Sequence, residues 1–230
     1  MKSKSLFFAF AFLIIAITSN AQVTDIDGHQ YKTVKIGTQV WMAENLNVSH
    51  FRNGDPIPEA KDNAAWIKIF KNGKPAWCNY NNDADYGQKY GKLYNMNAVK
   101  DRRGVAPKGW HIPTDADWTI LANYLGGWLL AGRKMKTTSG WVRTKLGADD
   151  RDNGTNESGF AALPTGFRDD DGKFDNGEEL DNQWATWWSS TLRDDELTFS
   201  VASGAGGDEF SGDDTEGIEG KGDYIRCVKN

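Results

Sequence analysis

The chain has 230 residues, of which 39% are hydrophobic and 26% charged, a balance that excludes a disordered polymer and a bundle of membrane helices. Its formal charge is −5, and without Lys2 and Lys4 of the leader 25 basic residues face 32 acidic ones, so we expect no nucleic acid partner. The 25 glycines and 10 tryptophans predict a loop-rich fold with many turns and a large set of aromatic rings to bury or expose.

The N-terminus has the pattern of a secretory signal peptide. Lys2 and Lys4 precede an apolar run from Leu6 to Ile17, and small residues stand at the −3 and −1 positions of a cleavage site after Ala21. The apolar run is shorter than the roughly 20 residues that a membrane span needs. No cysteine follows it, which argues against a lipoprotein. We therefore predict a signal peptide over residues 1–21 and an exported domain without a membrane span over residues 22–230.

Secondary structure is predicted from the patterns of apolar residues along the chain. Alternation from Tyr31 to Met42 predicts a β-hairpin that turns at Gly37-Thr38, and residues 47–90 predict irregular structure pinned by aromatics. Thr114 is a good N-cap for one clear helix at about 114–125 that ends at Gly126-Gly127. Short strands are predicted at Phe160 to Leu163, Trp184 to Thr191, Leu197 to Val201 and Tyr224 to Val228. The expected fold class is a single α+β domain with short antiparallel strands.

Six blocks of the sequence resemble those of the Fibrobacter succinogenes major paralogous domain. They lie in order across nearly the whole chain, and their ranges are Tyr31 to Leu46, Tyr90 to Tyr94 (YGKLY), Pro107 to Trp118 (PKGWHIPTDADW), Thr155 to Arg168 (TNESGFAALPTGFR), Trp187 to Thr191 (WWSST) and Ile225 to Lys229 (IRCVK). The resemblance implies an exported protein of Bacteroidetes or relatives, Gram-negative bacteria, in the periplasm or at the cell surface. The helix-opening block and the closing strand are also similar to the C-type-lectin-like and formylglycine-generating-enzyme fold, which the resemblance therefore implies.

Cys78 and Cys227 are the only cysteines. A single disulfide suits an exported protein, and two buried thiols are the equal alternative. Many members of the resembled family carry a cysteine where this chain has Ala106, which implies that the usual partner of Cys227 is absent. The resembled oxidases use a pair of copper-binding cysteines near the C-terminal part of the fold, where this chain has only Cys227, so inherited oxidase activity is not expected.

Residues with catalytic potential lack the neighbours that catalysis needs. His111 stands between apolar residues with no recognisable nucleophile beside it, and we expect a structural hydrogen bond there. Ser189 and Ser190 follow two tryptophans in a predicted strand rather than forming a Gly-x-Ser-x-Gly elbow, so they are expected to be structural too.

Calcium is the one cofactor that the sequence suggests. The acidic segment from Asp169 to Asp181 carries carboxylates along glycine-bearing turns, and calcium binds six to eight oxygens from such loops. The candidate ligands are Asp169, Asp171, Asp175 and Glu178. The spacing does not satisfy the EF-hand rule because Gly172 comes too early, and solvated acidic turns are the alternative interpretation.

Tryptophans in polar context are the candidates for stacking on sugar rings. Trp66, Trp128, Trp141 and Trp184 are predicted to be exposed, whereas Trp41, Trp110, Trp118, Trp187 and Trp188 lie in apolar patterns typical of a core. Trp141 stands near Arg143, and Trp184 near Asn182, side chains that can bond sugar hydroxyls. These four residues form the predicted ligand-binding set.

These observations lead to one functional expectation and two alternatives. We expect an exported, non-catalytic binding domain that recognises polysaccharide or a cell-surface glycan through the 137–184 loops, with calcium as a candidate ligand. The first alternative is an extracellular polysaccharide-active enzyme that uses carboxylates such as Asp169, Asp171 or Glu178. The second is a structural or assembly component of the cell envelope whose aromatics meet a protein partner.

Overall fold

A computed structural model describes residues 22–141, 153–175, 183–193, 197–202, 210–214 and 220–230. The predicted signal peptide lies outside these residues. The described helices are α1 (Asn63–Lys71), α2 (Ala84–Tyr90), α3 (Met96–Lys100), α4 (Asp115–Tyr124) and α5 (Trp128–Met135), and a 3₁₀ turn spans Tyr80–Asn82. None of the described helices is long and apolar enough to cross a bilayer.

The described strands form three antiparallel sheets. The first has the order β1 (Gln22–Thr24), β2 (Gln30–Ile36), β3 (Gln39–Met42), β13 (Val228–Lys229) and β6 (Trp110–His111). The second has the order β11 (Ser211–Asp214), β10 (Leu197–Ala202) and β9 (Thr186–Arg193). The third has the order β4 (Trp77–Cys78), β5 (Leu93–Asn95), β12 (Gly222–Asp223), β7 (Phe167–Arg168) and β8 (Phe174–Asp175). The α+β class and the loop-rich, antiparallel character are confirmed.

The predicted hairpin and helix are also confirmed. The β2 and β3 strands pair around Gly37, which takes a φ of +60° at the turn. Helix α4 begins after Thr114, whose hydroxyl accepts from the backbone N–H of Asp117 while the Asp117 carboxylate accepts from the backbone N–H of Thr114. This reciprocal capping box fixes the first turn, and Trp118 and Leu121 then bury the inner face.

Three sequence predictions of secondary structure were wrong. Residues 47–90 contain α1 and α2, whose N-caps Asp62 and Asp83 each accept a hydrogen bond from the first turn. The predicted strand from Phe160 to Leu163 reduces to an isolated bridge between Ala162 and Lys136. The predicted strand from Tyr224 to Val228 reduces to a bridge between Tyr224 and Trp187 and the first residue of β13, because the chain leaves the third sheet after Asp223 and joins the first at Val228.

Two hydrophobic cores lie on opposite sides of the central strands. The first core contains Trp41, Trp118 and Trp187, and the second contains Met42, Tyr94 and Trp188. Successive residues of a strand face opposite sides, so the neighbouring pairs Trp41-Met42 and Trp187-Trp188 each contribute one side chain to each core. The two adjacent tryptophans of β9 therefore pack into both cores.

The two cysteines are free and buried, one in each core. Ala106 lies in the second core together with Cys227, which agrees with the absent partner that the family resemblance implied. Burial raises the pKa of Cys78 to about 11 and that of Cys227 further still, so both stay protonated and unreactive at neutral pH.

We expect iodoacetamide to label neither cysteine in the native protein and both after denaturation without reductant, because no disulfide joins them. Mass spectrometry of the alkylated protein checks this expectation. A denatured protein that takes up label only after reduction would show instead that the two thiols are paired.

Asp223 is a fully buried carboxylate in the third sheet. The hydroxyl of Thr186 donates to its Oδ1 at 2.5 Å, and its Oδ2 has no hydrogen-bond partner in the described part of the chain. Burial raises the pKa of Asp223 to about 6. This folded-state pKa exceeds the unfolded value near 3.9, so the protonated Asp223 contributes its full stabilisation of the fold below about pH 4. That stabilisation, about 3 kcal/mol, is lost as the pH rises through 6.

The Asp223→Asn variant is therefore expected to be more stable than the wild type at pH 8, by about 1–2 kcal/mol, because it removes a buried charge but keeps a polar group. The gain should disappear by about pH 3, where Asp223 is protonated in both the folded and the unfolded state. Urea unfolding of both proteins at the two pH values measures the difference, and a variant that is equally destabilised at both would contradict the assignment.

Candidate functional site

A cleft of about 630 Å³ opens between the β2–β3 hairpin, the C-terminal end of α2 and the 159–163 loop. Its lining is mostly amide, hydroxyl, aromatic and charged side chains. The polar, charged and aromatic lining residues include Gln30, Tyr31, Lys32, Glu44, Asn45, Asn47, Gln88, Lys89, Tyr90 and Arg226. Thr137, Gly159, Ala161 and Leu163 complete the wall on the side of the 137–163 segment.

Arg226 is the buried cation of this cleft, with 2% of its surface exposed. It follows β12 and precedes β13 in the crossing between two sheets. Its guanidinium donates to the carbonyl of Phe160 and lies 4.3 Å from the centroid of the Phe160 ring. Burial lowers the pKa of Arg226 to about 9 against the opposing effect of the Glu44 carboxylate, which still leaves the group charged at neutral pH.

Asn45 connects the arginine to the first core. Its Oδ1 accepts from Nε of Arg226 at 2.9 Å, from a terminal nitrogen of Arg226 at 2.6 Å, and from the indole Nε1 of Trp187 at 2.8 Å. Its Nδ2 donates to the carbonyl of Tyr90 at 2.9 Å. One amide thus fixes the arginine, a core tryptophan and the end of α2.

Tyr31 fixes the opposite side of the cleft. Its hydroxyl donates to Oδ2 of Asp25 at 2.5 Å and accepts from the backbone N–H of Asn47 at 2.9 Å. The ring nitrogen Nδ1 of His29 lies 3.1 Å from the same Asp25 oxygen. Burial, followed by the hydrogen bond to Asp25, raises the pKa of Tyr31, so this phenol stays neutral.

Two glycines let the walls of the cleft approach each other. Gly91 has a φ of +85°, and a Cβ there would lie 2.8 Å from the carbonyl oxygen of Leu46. Gly159 has a φ of +69°, and a Cβ there would lie 2.9 Å from Cγ2 of Val34. Any side chain at either position would force the surrounding backbone apart.

Comparison with protein-family models gives one finding. Residues 34–229 match the model described as the Fibrobacter succinogenes major domain. The chain belongs to this family. No curated protein and no solved structure matches it, so the C-type-lectin-like fold stays a prediction. In this Fibrobacter succinogenes major domain, Asn45, Tyr90 and Arg226 lie inside the matched segment, and Gln30 to Lys32 precede it.

The expected exposure of two tryptophans was wrong. Trp141 is fully buried, and its indole N–H donates to Oγ1 of Thr137 and to the carbonyl of Ala162. Trp66 is also fully buried and donates to the carbonyl of Gly220. Trp141 therefore has no free face to stack on a sugar, because its ring is fully enclosed in the first core.

The other predicted ligand-binding residues are less completely described. Trp184 is half-buried, and its carbonyl accepts from the backbone N–H groups of Thr165 and Gly166. Arg143 and Asn182 lie outside the described residues. Neither Trp141 nor Trp184 lines the cleft; the described residues of the predicted 137–184 region that do so are Thr137, Gly159, Ala161 and Leu163.

The predicted calcium ligands lie around the tight turn between β7 and β8. Asp169 accepts from the backbone N–H of Asp170, and Asp171 accepts from both the backbone and the ammonium group of Lys173. The hydrogen bond from Lys173 lowers the pKa of Asp171. Asp175 is half-buried, and Glu178 lies outside the described residues. Within the described ranges no three His, Cys, Asp or Glu side chains form a group that could hold a metal, and calcium stays a prediction.

His111 and the two serines belong to separate hydrogen-bond networks. His111 contacts Asp117 through Nε2 at 3.1 Å, at the start of α4. Burial acts to raise the pKa of Asp117, but hydrogen bonds from Thr114 and His111 together hold it below its ordinary value. Ser189 donates to Asp115, and Ser190 donates to the carbonyl of Ile112, so neither serine bonds His111. The arrangement secures the helix against β9.

Proposed function

We propose that this chain is an exported, non-catalytic binding domain that holds a stretch of glycan in the cleft beside Tyr90. The observation that carries the proposal is the lining itself, which presents exposed amide side chains beside the half-buried ring of Tyr90. Gln30 and Gln88 are exposed there, and their amides can both donate to and accept from sugar hydroxyls. A concave site with convergent polar groups is the usual form of a small-ligand site.

The lining favours binding over glycoside hydrolysis. Glycosidases of the common mechanisms need two carboxyl groups that flank the scissile bond. Among the described residues Glu44 is the single carboxylate that lines this cleft, and the backbone N–H of Lys32 donates to its Oε2. Of the carboxylates of the enzyme alternative, Asp169 and Asp171 do not line the cleft, and Glu178 lies outside the described residues.

Affinity electrophoresis through gels that contain neutral and acidic polysaccharides tests this function. We expect at least one polysaccharide to retard the protein, and the Gln30→Ala, Gln88→Ala double variant to lose most of the retardation. Asn123→Ala, an exposed amide on α4 away from the cleft, is the matched control and should be retarded like the wild type. An unretarded wild type, or a double variant that is retarded equally, contradicts the proposal.

Two further measurements test its other parts. Release of reducing ends from any retarding polysaccharide would overturn the non-catalytic assignment. Export predicts that the protein recovered from the periplasm or cell surface begins at Gln22, which N-terminal sequencing measures directly. Recovery of a cytoplasmic protein that keeps residues 1–21 would contradict export.

A protein partner in the envelope is a second candidate function. It is favoured by four large apolar side chains that α4 and α5 expose, namely Ile120, Tyr124, Leu129 and Leu130. A stable envelope complex that resists soluble sugar and is lost in Leu129→Ser, Leu130→Ser would support this function. A complex that forms equally with that variant would count against it.

A further inference from the structure

Arg226 is not explained by the recognition of neutral hydroxyl groups. It is a buried cation, and the oxygens that it contacts, Oδ1 of Asn45 and the carbonyl of Phe160, are uncharged. No carboxylate of the described residues lies within ion-pair distance of it. Burying a charge without a partner of opposite sign is costly, and proteins normally pair such a group.

The guanidinium also keeps donors for another molecule. Arginine has five N–H groups, and three of them donate to Asn45 and Phe160. One N–H on each terminal nitrogen is left without an acceptor in the described structure. Two N–H groups on neighbouring nitrogens match the two oxygens of a carboxylate, which is the bidentate geometry that arginine favours.

The remaining charges of the cleft have the same sign as Arg226 on balance. In the described part of the chain, Lys32 and Lys89 are exposed lining residues, Glu44 is the only lining carboxylate, and His29 is the remaining ionisable group apart from the tyrosines. Lys89 lies over the ring of Tyr90, with 4.7 Å between its Nζ and the ring centroid. Three lining cations thus face one anion, on a protein whose formal charge is −5.

We infer that the ligand of this cleft is an acidic glycan, and that Arg226 binds the carboxylate of a uronic acid while Lys32 and Lys89 attract the neighbouring charges along the polymer. This inference rests on the proposed function of the cleft as a glycan site. It adds the class of sugar and the residue that selects it. The carboxylate supplies the negative charge that the protein does not place beside Arg226.

The test compares two ligands that share one carbon skeleton. Isothermal titration measures the binding of an oligogalacturonate and of its methyl ester, in which the carboxylates are uncharged. We expect the acid to bind at least tenfold more tightly, because a hydrogen-bonded ion pair contributes more than its neutral counterpart. Equal or weaker binding of the acid overturns the inference, and separate retention by neutral polysaccharides would then show that the glycan site itself survives.

We call Lys32, Lys89 and Glu44 the rim of the cleft. Variants at the rim test the inference without replacing a buried residue. Lys32→Gln with Lys89→Gln should weaken binding of the acid about threefold and weaken binding of the methyl ester less. Lys35→Gln with Lys108→Gln changes the net charge equally at exposed positions outside the cleft and should have little effect. Glu44→Gln should strengthen binding of the acid severalfold. Equal losses in the two lysine pairs would show that only net charge matters and would overturn the site.

Arg226 itself is tested by Arg226→Gln, with circular dichroism as a check on folding. A folded variant should keep only the smaller part of the preference for the acid that Lys32 and Lys89 supply. A folded variant that retains the tenfold preference would overturn the role of Arg226. If the variant unfolds, the rim variants decide the inference alone.

Discussion

Replacing Trp118 with alanine is expected to lower the free energy of unfolding by about 3–5 kcal/mol, the usual cost of removing a large aromatic from a core. Trp118 is fully buried on α4. Its ring centroid lies 4.7 Å from that of Trp41, 5.5 Å from that of Phe210 and 6.1 Å from that of Phe160. Alanine would leave a cavity that these large rings cannot all move to fill.

Urea unfolding followed by circular dichroism measures this loss. Ile120→Ala on the same helix is the control, because its side chain is 46% exposed and its loss should stay within about 1 kcal/mol. Trp118→Phe should lose less than Trp118→Ala, since it keeps a ring and removes an indole N–H that has no acceptor. Similar losses for Trp118→Ala and Ile120→Ala would contradict the placement of Trp118 at the centre of the first core.

Replacing Asn45 with alanine is expected to cost about 3–4 kcal/mol, because three buried N–H donors lose their acceptor at once and two of them belong to a cation. The donors are two N–H groups of Arg226 and the indole N–H of Trp187. The loss should also weaken binding in the cleft, since the arginine would no longer be held in place.

Asn123→Ala is the matched control and should be neutral or slightly stabilising, because Asn123 is exposed on a helix where alanine is favoured. Asn45→Asp should lose less stability than Asn45→Ala, because a carboxylate keeps the acceptor and neutralises Arg226. It should also abolish the preference for an acidic ligand, because it supplies the missing negative charge from within. A preference that survives Asn45→Asp would contradict the pairing of Arg226 with a ligand carboxylate.

Local sequence patterns predicted the elements that depend on local contacts. Thr114, Asp117 and the spacing of Trp118 and Leu121 predicted α4, and the structure has the same N-cap and the same buried face. Helices α1, α2 and α3 were missed although Asp62, Asp83 and Asn95 cap them in the same way. Helices α2 and α3 are short, and Gly87 interrupts α2, so their caps were the strongest local signal. Helix α1 also has apolar residues at helical spacing, a pattern that the irregular interpretation of residues 47–90 overlooked.

Burial of the tryptophans could not be predicted from their polar neighbours. The indole N–H of Trp141 finds acceptors on Thr137 and Ala162, and that of Trp66 finds one on Gly220. Such partners satisfy the polar atom and let the ring enter the core. The acceptor of Trp66 lies 154 positions away in the chain, which no local pattern reveals.

The cleft was equally hidden from the sequence. Its residues come from four separate segments, at about 29–47, 88–91, 137–163 and 226. Arg226 stands between apolar residues in the final block, in a position that resembles a strand in a core. A charged residue inside an apolar block is the signal that could have identified it.

The most direct test of the glycan site is to map where a binding oligosaccharide contacts the protein by backbone NMR chemical shifts. We predict that the largest changes fall at the cleft, in residues 29–32, 44–47, 88–91 and 159–163, together with Arg226. Changes confined to the turn between β7 and β8, around Asp169 to Asp175, would contradict this site and place binding at the acidic loop instead.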